Sequence, residues 1–217
     1  MKILAVEFSS EQRSVALLQS SDGESVLLGA VSEMGGRRAI ALLDELLQKT
    51  KCEREQIDCI AVGIGPGSYT GIRGAIAFAQ GWQLARGTKL LAISSVEVLA
   101  ARAQEEKLFG SVNIVIDAQR NEFYLARYEI DATSRREIEP LHLAAFAEAQ
   151  TLVDSHQLVV GPEVTRWFAA AQNIFPAAAT LARLAADRTD FVAGEKIEPI
   201  YLRETNFKKA PTPRLIA

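Results

Sequence analysis

Cysteine is nearly absent from this chain of 217 residues: Cys52 and Cys59 are the two present, and they do not form a C-x-x-C. That excludes a disulfide framework and a cysteine zinc site, and both residues read as reduced thiols. Histidine is as scarce. His142 and His156 stand 156 − 142 = 14 positions apart, outside H-E-x-x-H or any H-x-x-x-H spacing, which excludes a histidine metal site on one helix. No excess of basic charge is present either. With Lys plus Arg at 24 against Asp plus Glu at 27, the net charge of −3 argues against independent nucleic-acid binding. No apolar run reaches the ~20 residues a bilayer crossing needs, and the chain enters a strand pattern directly from Met1, so the expected compartment is the cytoplasm. Standard phosphate and nucleophile signatures are missing too. The glycines near residue 65 read G-x-G-x-G rather than G-x-G-x-x-G, no G-x-x-x-x-G-K-[ST] aligns, and Pro66 holds the first place of what would be a G-x-S-x-G elbow at Ser68.

What the sequence does have is one dense stretch, Gly63 to Gly81, GIGPGSYTGIRGAIAFAQG. The residues before it, 58–64, form a short β-branched run without polar alternation, as expected of a strand covered on both faces. Gly65, Pro66 and Gly67 then break both strand and helix, and Ser68 or Thr70 is placed to cap a helix over Thr70 to Arg86. A glycine turn opening a helix points several N–H groups at one spot, so an anion site around Gly65, Gly67 and Ser68 stands beside the plainer reading of close packing. Within the helix, Gly67, Gly71, Gly74, Ala75, Phe78 and Trp82 recur at three- and four-residue steps, a smooth stripe suited to close approach by another backbone.

In chain order, strands are predicted at Ile3–Phe8, Ser14–Gln19 and Ser25–Val31 as an antiparallel meander with a turn at residues 20–23. A helix follows from Arg37 to Lys49, with Ile40, Leu43 and Leu47 on one line and Ala39, Leu42 and Leu46 on the next. That face is broader than one sheet requires, which fits burial against a second helix or partner as well as deep burial in its own domain. A strand at Lys89–Ile93 and a helix at Ser95–Glu105, capped by Ser94 or Ser95, close the first unit. Residues 112–117 open a second unit like the first. An apolar strand ends in an acid, Asp117 as at Glu7, and a turn with Gln119-Arg120 matches Gln12-Arg13; the acids lie 117 − 7 = 110 positions apart, so an internal duplication into 1–108 and 109–217 is inferred. Glu122–Ile130 continues the second meander. Helices are predicted at His142–Val153, Val164–Asn173 and Ala177–Arg188, a strand at Gln157–Val160, and an extended segment at Pro199–Arg203 followed by a basic tail with Lys208-Lys209.

The two strand-end acids could hold a metal-nucleotide between the halves through bound water, with Ser9 beside Glu7. The alternative is that they are ordinary strand-end residues. Neither a nucleophile, a metal cage nor a base is singled out, so no catalytic residue and no metal ligand is assigned, and a binding role is favoured.

ILAVEFSS, SVALL, LLDELL, GIGPGSYTGIRGAIAFAQG, IDAQRNEFY and PIYLR occur in the order expected of the TsaB/YeaZ family, which the chain resembles over nearly its whole length. The resemblance implies an actin/Hsp70-like (ribonuclease H-like) fold of two related lobes, mixed sheets flanked by helices, and a part in forming N6-threonylcarbamoyladenosine beside the tRNA anticodon. It further implies that catalysis belongs to a paralogue, TsaD, which carries a histidine metal motif, and that the ATPase TsaE joins them. ATP and Mg²⁺ would be used by the complex, none bound by this chain alone, and tRNA would be met only through the complex. The two N-lobe helices should form a four-helix contact with the paralogue or, without it, a second copy, through Ile40, Leu43, Leu46, Leu47, Gly71, Gly74, Ala75, Phe78 and Trp82. Glutamate at Leu46 or Gly71 is then expected to abolish pairing. The chain departs from the family in two places. Val6-Glu7-Phe8-Ser9 replaces the usual Ile-Asp-Thr-Ser, and Gly36-Arg37-Arg38 stands where a histidine is common. An ATP-dependent kinase or ATPase of the same fold is the alternative; a peptidase has no residue set behind it.

Overall fold

Two β-branched strands that never alternate with polar residues lie at the centre of the first sheet, and their position follows from that composition. β1 (Lys2–Glu7) pairs antiparallel with β2 (Gln12–Ser21) and parallel with β4 (Cys59–Gly63). β3 (Glu24–Met34) lies outside β2 and β5 (Lys89–Ile93) outside β4, giving the order β3-β2-β1-β4-β5. This computed structural model describes residues 1–21, 23–35 and 39–202, with the backbone alone at Ala39 and Ile40. Arg37-Arg38 and the Lys208-Lys209 segment lie outside the described residues.

Alternation along each strand divides the side chains between two faces. Leu4, Val6, Val15, Leu17, Ile60 and Val62 face α1 (Ala39–Thr50) and α2 (Tyr69–Arg86). Ile3, Ala5, Ala16, Cys59 and Ala61 face α5 (Ala178–Ala186). The second sheet repeats the plan. β6 (Gly110–Asp117), β7 (Glu122–Ile130) and β8 (Arg135–Ala145) form the meander, with β9 (Leu158–Gly161) and β10 (Gln172–Asn173) parallel on the other side of β6, in the order β8-β7-β6-β9-β10. The duplication expected from the sequence is therefore present as topology, and the fold is the actin/Hsp70-like one.

Helices interlock the two halves. α3 (Ser95–Glu105) follows the first sheet but packs Val96, Leu99, Ala100 and Ala103 into the core of the second, opposite α4 (Phe146–Asp154). α5 comes from the second half and covers the first sheet, and the Ser14 hydroxyl accepts from Ala178 N at 2.8 Å. The division at 108/109 thus separates the strands but not the helical layers.

Two helix assignments are corrected. Residues 142–145 belong to β8 rather than to a helix, because they continue the ladder with β7 (Leu125 opposite His142, Glu122 opposite Ala145), and the helix begins at Phe146. Val164–Asn173 is not a helix: a three-residue 3₁₀ turn at Val164–Arg166 is followed by β10. Phe168, buried in the cluster with Phe123 and Leu152, holds that segment in place. Packing of large aromatics overrode the alanine content.

Candidate functional site

The first β-turn and the glycine turn are built around each other. β1 ends at Glu7, and the carbonyl of Ser9 accepts from Ser68 N at 2.7 Å, so the start of α2 sits on the Phe8–Ser9 backbone. Ser68 is the N-cap, its hydroxyl accepting from Gly71 N at 3.3 Å. Two glycines allow the contact: a Cβ at Gly67 would overlap the Ser9 carbonyl, and one at Gly71 would overlap the Phe8 carbonyl. The glycine turn is thus a packing device between strand end and helix start.

Between the lobes lies an open cleft of about 1380 Å³, and Ser9, Gly67, Ser68 and Asp117 meet along it. Glu7 and Gly65 do not. The Gly65 carbonyl is turned toward α3, accepting from Ser95 N at 2.8 Å. Glu7 is fully buried, its carboxylate accepting from Ser9 N at 2.8 Å and from the Ser95 hydroxyl at 3.2 Å, against Gly63, where any Cβ would collide with it. The expected pairing of Glu7 with Asp117 across the cleft is corrected accordingly. The longer side chain follows the path that Gly63 leaves open and ends at the N-terminus of α3, where a helix favours negative charge.

Asp117 is the cleft's strand-end acid, and its two oxygens are engaged by one neighbour: Oδ1 accepts from Gln119 N and Oδ2 from Gln119 Nε2, both at 2.7 Å. The bond from the N–H two residues on repeats the Glu7–Ser9 bond in the other half. Gln119, Arg120 and Asn121 all lie in the left-handed region, at φ 65°, 60° and 62°, to make this turn. A nucleotide-bound Mg²⁺ bridged by two strand-end carboxylates does not fit this arrangement, because Glu7 is inside the core; Asp117 lines the cleft and keeps lone pairs beyond the two that Gln119 engages.

Burial raises the Glu7 carboxyl above its ordinary value, and the hydrogen bonds from Ser9 and Ser95 offset part of that rise. The folded chain therefore holds this proton more tightly than the unfolded chain. Its stabilising contribution is full below the unfolded value of 4.5 and is lost as pH rises through the folded value. Glu7→Gln is expected to gain stability relative to the wild type progressively as pH is raised from about 4.5. Melting temperatures of both proteins between pH 4 and 8 measure this, and a difference independent of pH would contradict it.

Sequence reading missed two features of the cleft. One is a contact between the lobes. Glu11 N donates to Glu163 Oε1 at 3.0 Å, and Arg166 reaches Glu11 Oε2 at 2.8 Å. Its signal was the Gly161-Pro162-Glu163 turn, the second-half counterpart of Gly65-Pro66-Gly67. The other is an aromatic clasp. Ile200 N bonds to the Ile64 carbonyl at 2.9 Å, which brings Tyr201 beside Tyr69 with ring centroids 5.8 Å apart. Arg73 lies 4.0 Å from the Tyr69 ring and donates to the Tyr201 hydroxyl at 3.0 Å.

On the opposite side of the glycine turn, an apolar groove of about 400 Å³ separates α1 from α2, with Phe8, Arg13, Val15, Leu43, Gly74 and Phe78 on its walls. Phe8 is buried with the α1–α2 core rather than crowding the cleft. The residues predicted for a partner surface divide sharply. Leu43, Leu46, Leu47, Gly71 and Ala75 are buried within this chain, Phe78 and Trp82 are half-buried with their rings 5.3 Å apart, and Gly74 is exposed. The Ile40 side chain lies outside the described residues. The broad face of α1 is spent on its own sheet. Besides Tyr69, Arg73 and Arg86, α2 turns outward Thr70, Gly74, Ala77, Gly81, Leu84 and Ala85, an uncharged stripe of mostly small residues flanked by the two arginines. Leu84 is 91% exposed.

Residues 33–202 match the family model described as TsaD: tRNA N6-adenosine threonylcarbamoyltransferase. The "tRNA threonylcarbamoyladenosine biosynthesis protein TsaB" of Haemophilus influenzae is 32% identical over 128 residues, 58% of this chain and 53% of that protein. The Escherichia coli protein of the same name is 32% identical over 135 residues, 60% and 56% respectively. The chain thus spans little more than half the length of the curated relatives it matches. A solved structure titled "YeaZ from Pseudomonas aeruginosa" superposes with a TM-score of 0.72 at 27% identity, covering 93% of this chain and 99% of that one.

Proposed function

The chain belongs to the TsaD, or tRNA N6-adenosine threonylcarbamoyltransferase, family, and from that premise we propose that it is a non-catalytic scaffold and activator in forming N6-threonylcarbamoyladenosine next to the tRNA anticodon. It pairs through α2 and the α1–α2 groove with the catalytic TsaD paralogue, or with a second copy when alone. TsaE joins the complex, which uses ATP and Mg²⁺ and brings in tRNA, and the work takes place in the cytoplasm.

The observation that carries this reading is the outward face of α2. Each glycine costs a helix roughly 1 kcal/mol relative to alanine. A Cβ at Gly74 or Gly81 would meet nothing among the described residues within 4 Å, so packing against them explains neither glycine. A helix laid against that face would use the space, bringing two backbones close together and covering Leu84 and the groove. Gly74→Glu and Ala77→Glu each place an unpaired charge in such a contact, and each is expected to weaken co-purification with TsaD by roughly 3 kcal/mol or more while leaving this chain folded. A modified-nucleoside assay with and without the chain tests the function itself. Equal threonylcarbamoyladenosine in its absence would sink the proposal.

The second reading, an ATP-dependent kinase or ATPase, is favoured by Ser9, Gly67, Ser68 and Asp117 meeting along one cleft. Calorimetry with ATP and Mg²⁺ on the isolated chain separates the two: micromolar binding lost in Asp117→Ala would support the enzyme.

A further inference from the structure

Far from the α2 face, β8 and α4 bring a histidine and two glutamates together. On β8, Glu139 and His142 are three residues apart, a spacing that in a regular strand puts side chains on opposite faces. The ladder is not regular there. Leu125 faces His142 and Arg127 faces Glu139, so a step of two residues on β7 is matched by three on β8, and this bulge turns both side chains to one side. Pro140, inside the bulge, cannot donate to a ladder, which suits an outer strand. Glu148 comes in from the first turn of α4. The ligand atoms of the three side chains lie within 4.8 Å of one another.

The protonation of His142 is constrained. Its Nδ1 is 3.0 Å from the Pro140 carbonyl, which can only accept, so Nδ1 carries a proton. Nε2 then faces Glu148 Oε1 at 3.2 Å and Glu139 Oε1 at 3.7 Å. A bare lone pair there would face two carboxylate oxygens, so the position calls for a cation, either a proton or a metal ion. The other Glu139 oxygen is held by Arg127 at 3.3 Å, leaving Oε1 directed at the imidazole. Zinc takes nitrogen and oxygen ligands at about 2.0–2.2 Å, which in a tetrahedron sets neighbouring ligand atoms roughly 3.4 Å apart. The two observed separations bracket that value. The backbone bond at Nδ1 is also the second-shell contact that fixes a metal-binding imidazole.

We infer that Glu139, His142 and Glu148 form a surface Zn²⁺ site, with His142 Nε2 and one oxygen of each glutamate as ligands and water completing the coordination. Binding replaces the Nε2 proton, which is released to solvent. The test is titration of the metal-free full-length chain with Zn²⁺ at pH 7.5, followed by calorimetry in buffers of different ionisation enthalpy and by the imidazole NMR signals. One Zn²⁺ should bind per chain with proton release, shifting the signals of His142 but not of His156. His142→Ala and the isosteric Glu148→Gln should each weaken binding by at least about tenfold, the scale found even for outer-shell partners. Unmoved His142 signals at equimolar Zn²⁺, or wild-type affinity in both variants, would overturn the assignment and leave an imidazolium bridging two carboxylates.

Discussion

Leu46→Glu is expected to unfold most of the chain rather than to release a partner. Leu46 has no exposed surface and sits on α1 in the cluster with Leu4, Val15, Leu17 and Leu43. Truncating such a leucine to alanine costs roughly 2–5 kcal/mol through lost transfer energy and a cavity. A carboxylate adds the cost of taking a charge, or a proton it would not otherwise hold, into an apolar core. The combined loss, about 5 kcal/mol or more, rivals the whole stability of a typical domain, about 5–15 kcal/mol. Ala41→Glu, on the exposed side of the same helix, should change stability by less than about 0.5 kcal/mol. Urea midpoints and far-ultraviolet circular dichroism of both variants measure the contrast. A wild-type midpoint for Leu46→Glu would mean that α1 does not pack as described. For pairing experiments the consequence is direct, since a partner lost with Leu46→Glu reports on folding, and the informative substitutions are at Gly74 and Ala77.

The same methyl group added at two positions of one helix should have opposite effects. Gly74→Ala is expected to stabilise the isolated chain by up to about 1 kcal/mol, because its Cβ enters open space and alanine restricts the unfolded chain. Gly71→Ala gains the same propensity, but its Cβ would overlap the Phe8 carbonyl, a backbone atom that cannot rotate away. Relief requires lifting the start of α2 from the Phe8–Ser9 loop. That would disturb the Ser68–Ser9 bond and the Ser68 cap, for a net loss of roughly 2–3 kcal/mol, typical of overpacking. Thermal unfolding of the two variants beside the wild type resolves a gap of that size. Equal effects would show that helix propensity alone governs both positions, and the close approach of helix and loop would have to be abandoned.

The local elements were legible because their signals are local. The glycine turn, the Ser68 cap, the α3 span and the strand-end acids follow from turn chemistry, capping and periodicity, which need only a few neighbouring residues. The repeat at 110 positions gave the duplicated topology, since two segments with the same order of strand, acid and turn fold by the same rules. Position in space was not legible. Whether the broad face of α1 met a partner or its own sheet depended on which strands lay beneath it. Whether Glu7 reached the cleft depended on Gly63, fifty-six residues later, leaving a path inward.

His142 illustrates the limit most clearly. The start of its expected helix became part of a bulged strand; the bulge set His142 beside Glu139, and the packing of α4 brought Glu148 to the same place. By itself the sequence determined most of the elements, the repeat and the family, but not residues 142–145 and 164–173, where ladder pairing and aromatic packing decided. The tertiary structure decided which small residues of α2 are packed and which are open, which acid faces the cleft, and where the histidine finds its carboxylates. The physical reason is that burial and charge depend on neighbours distant in the chain, whereas turns, caps and periodicity depend on those nearby.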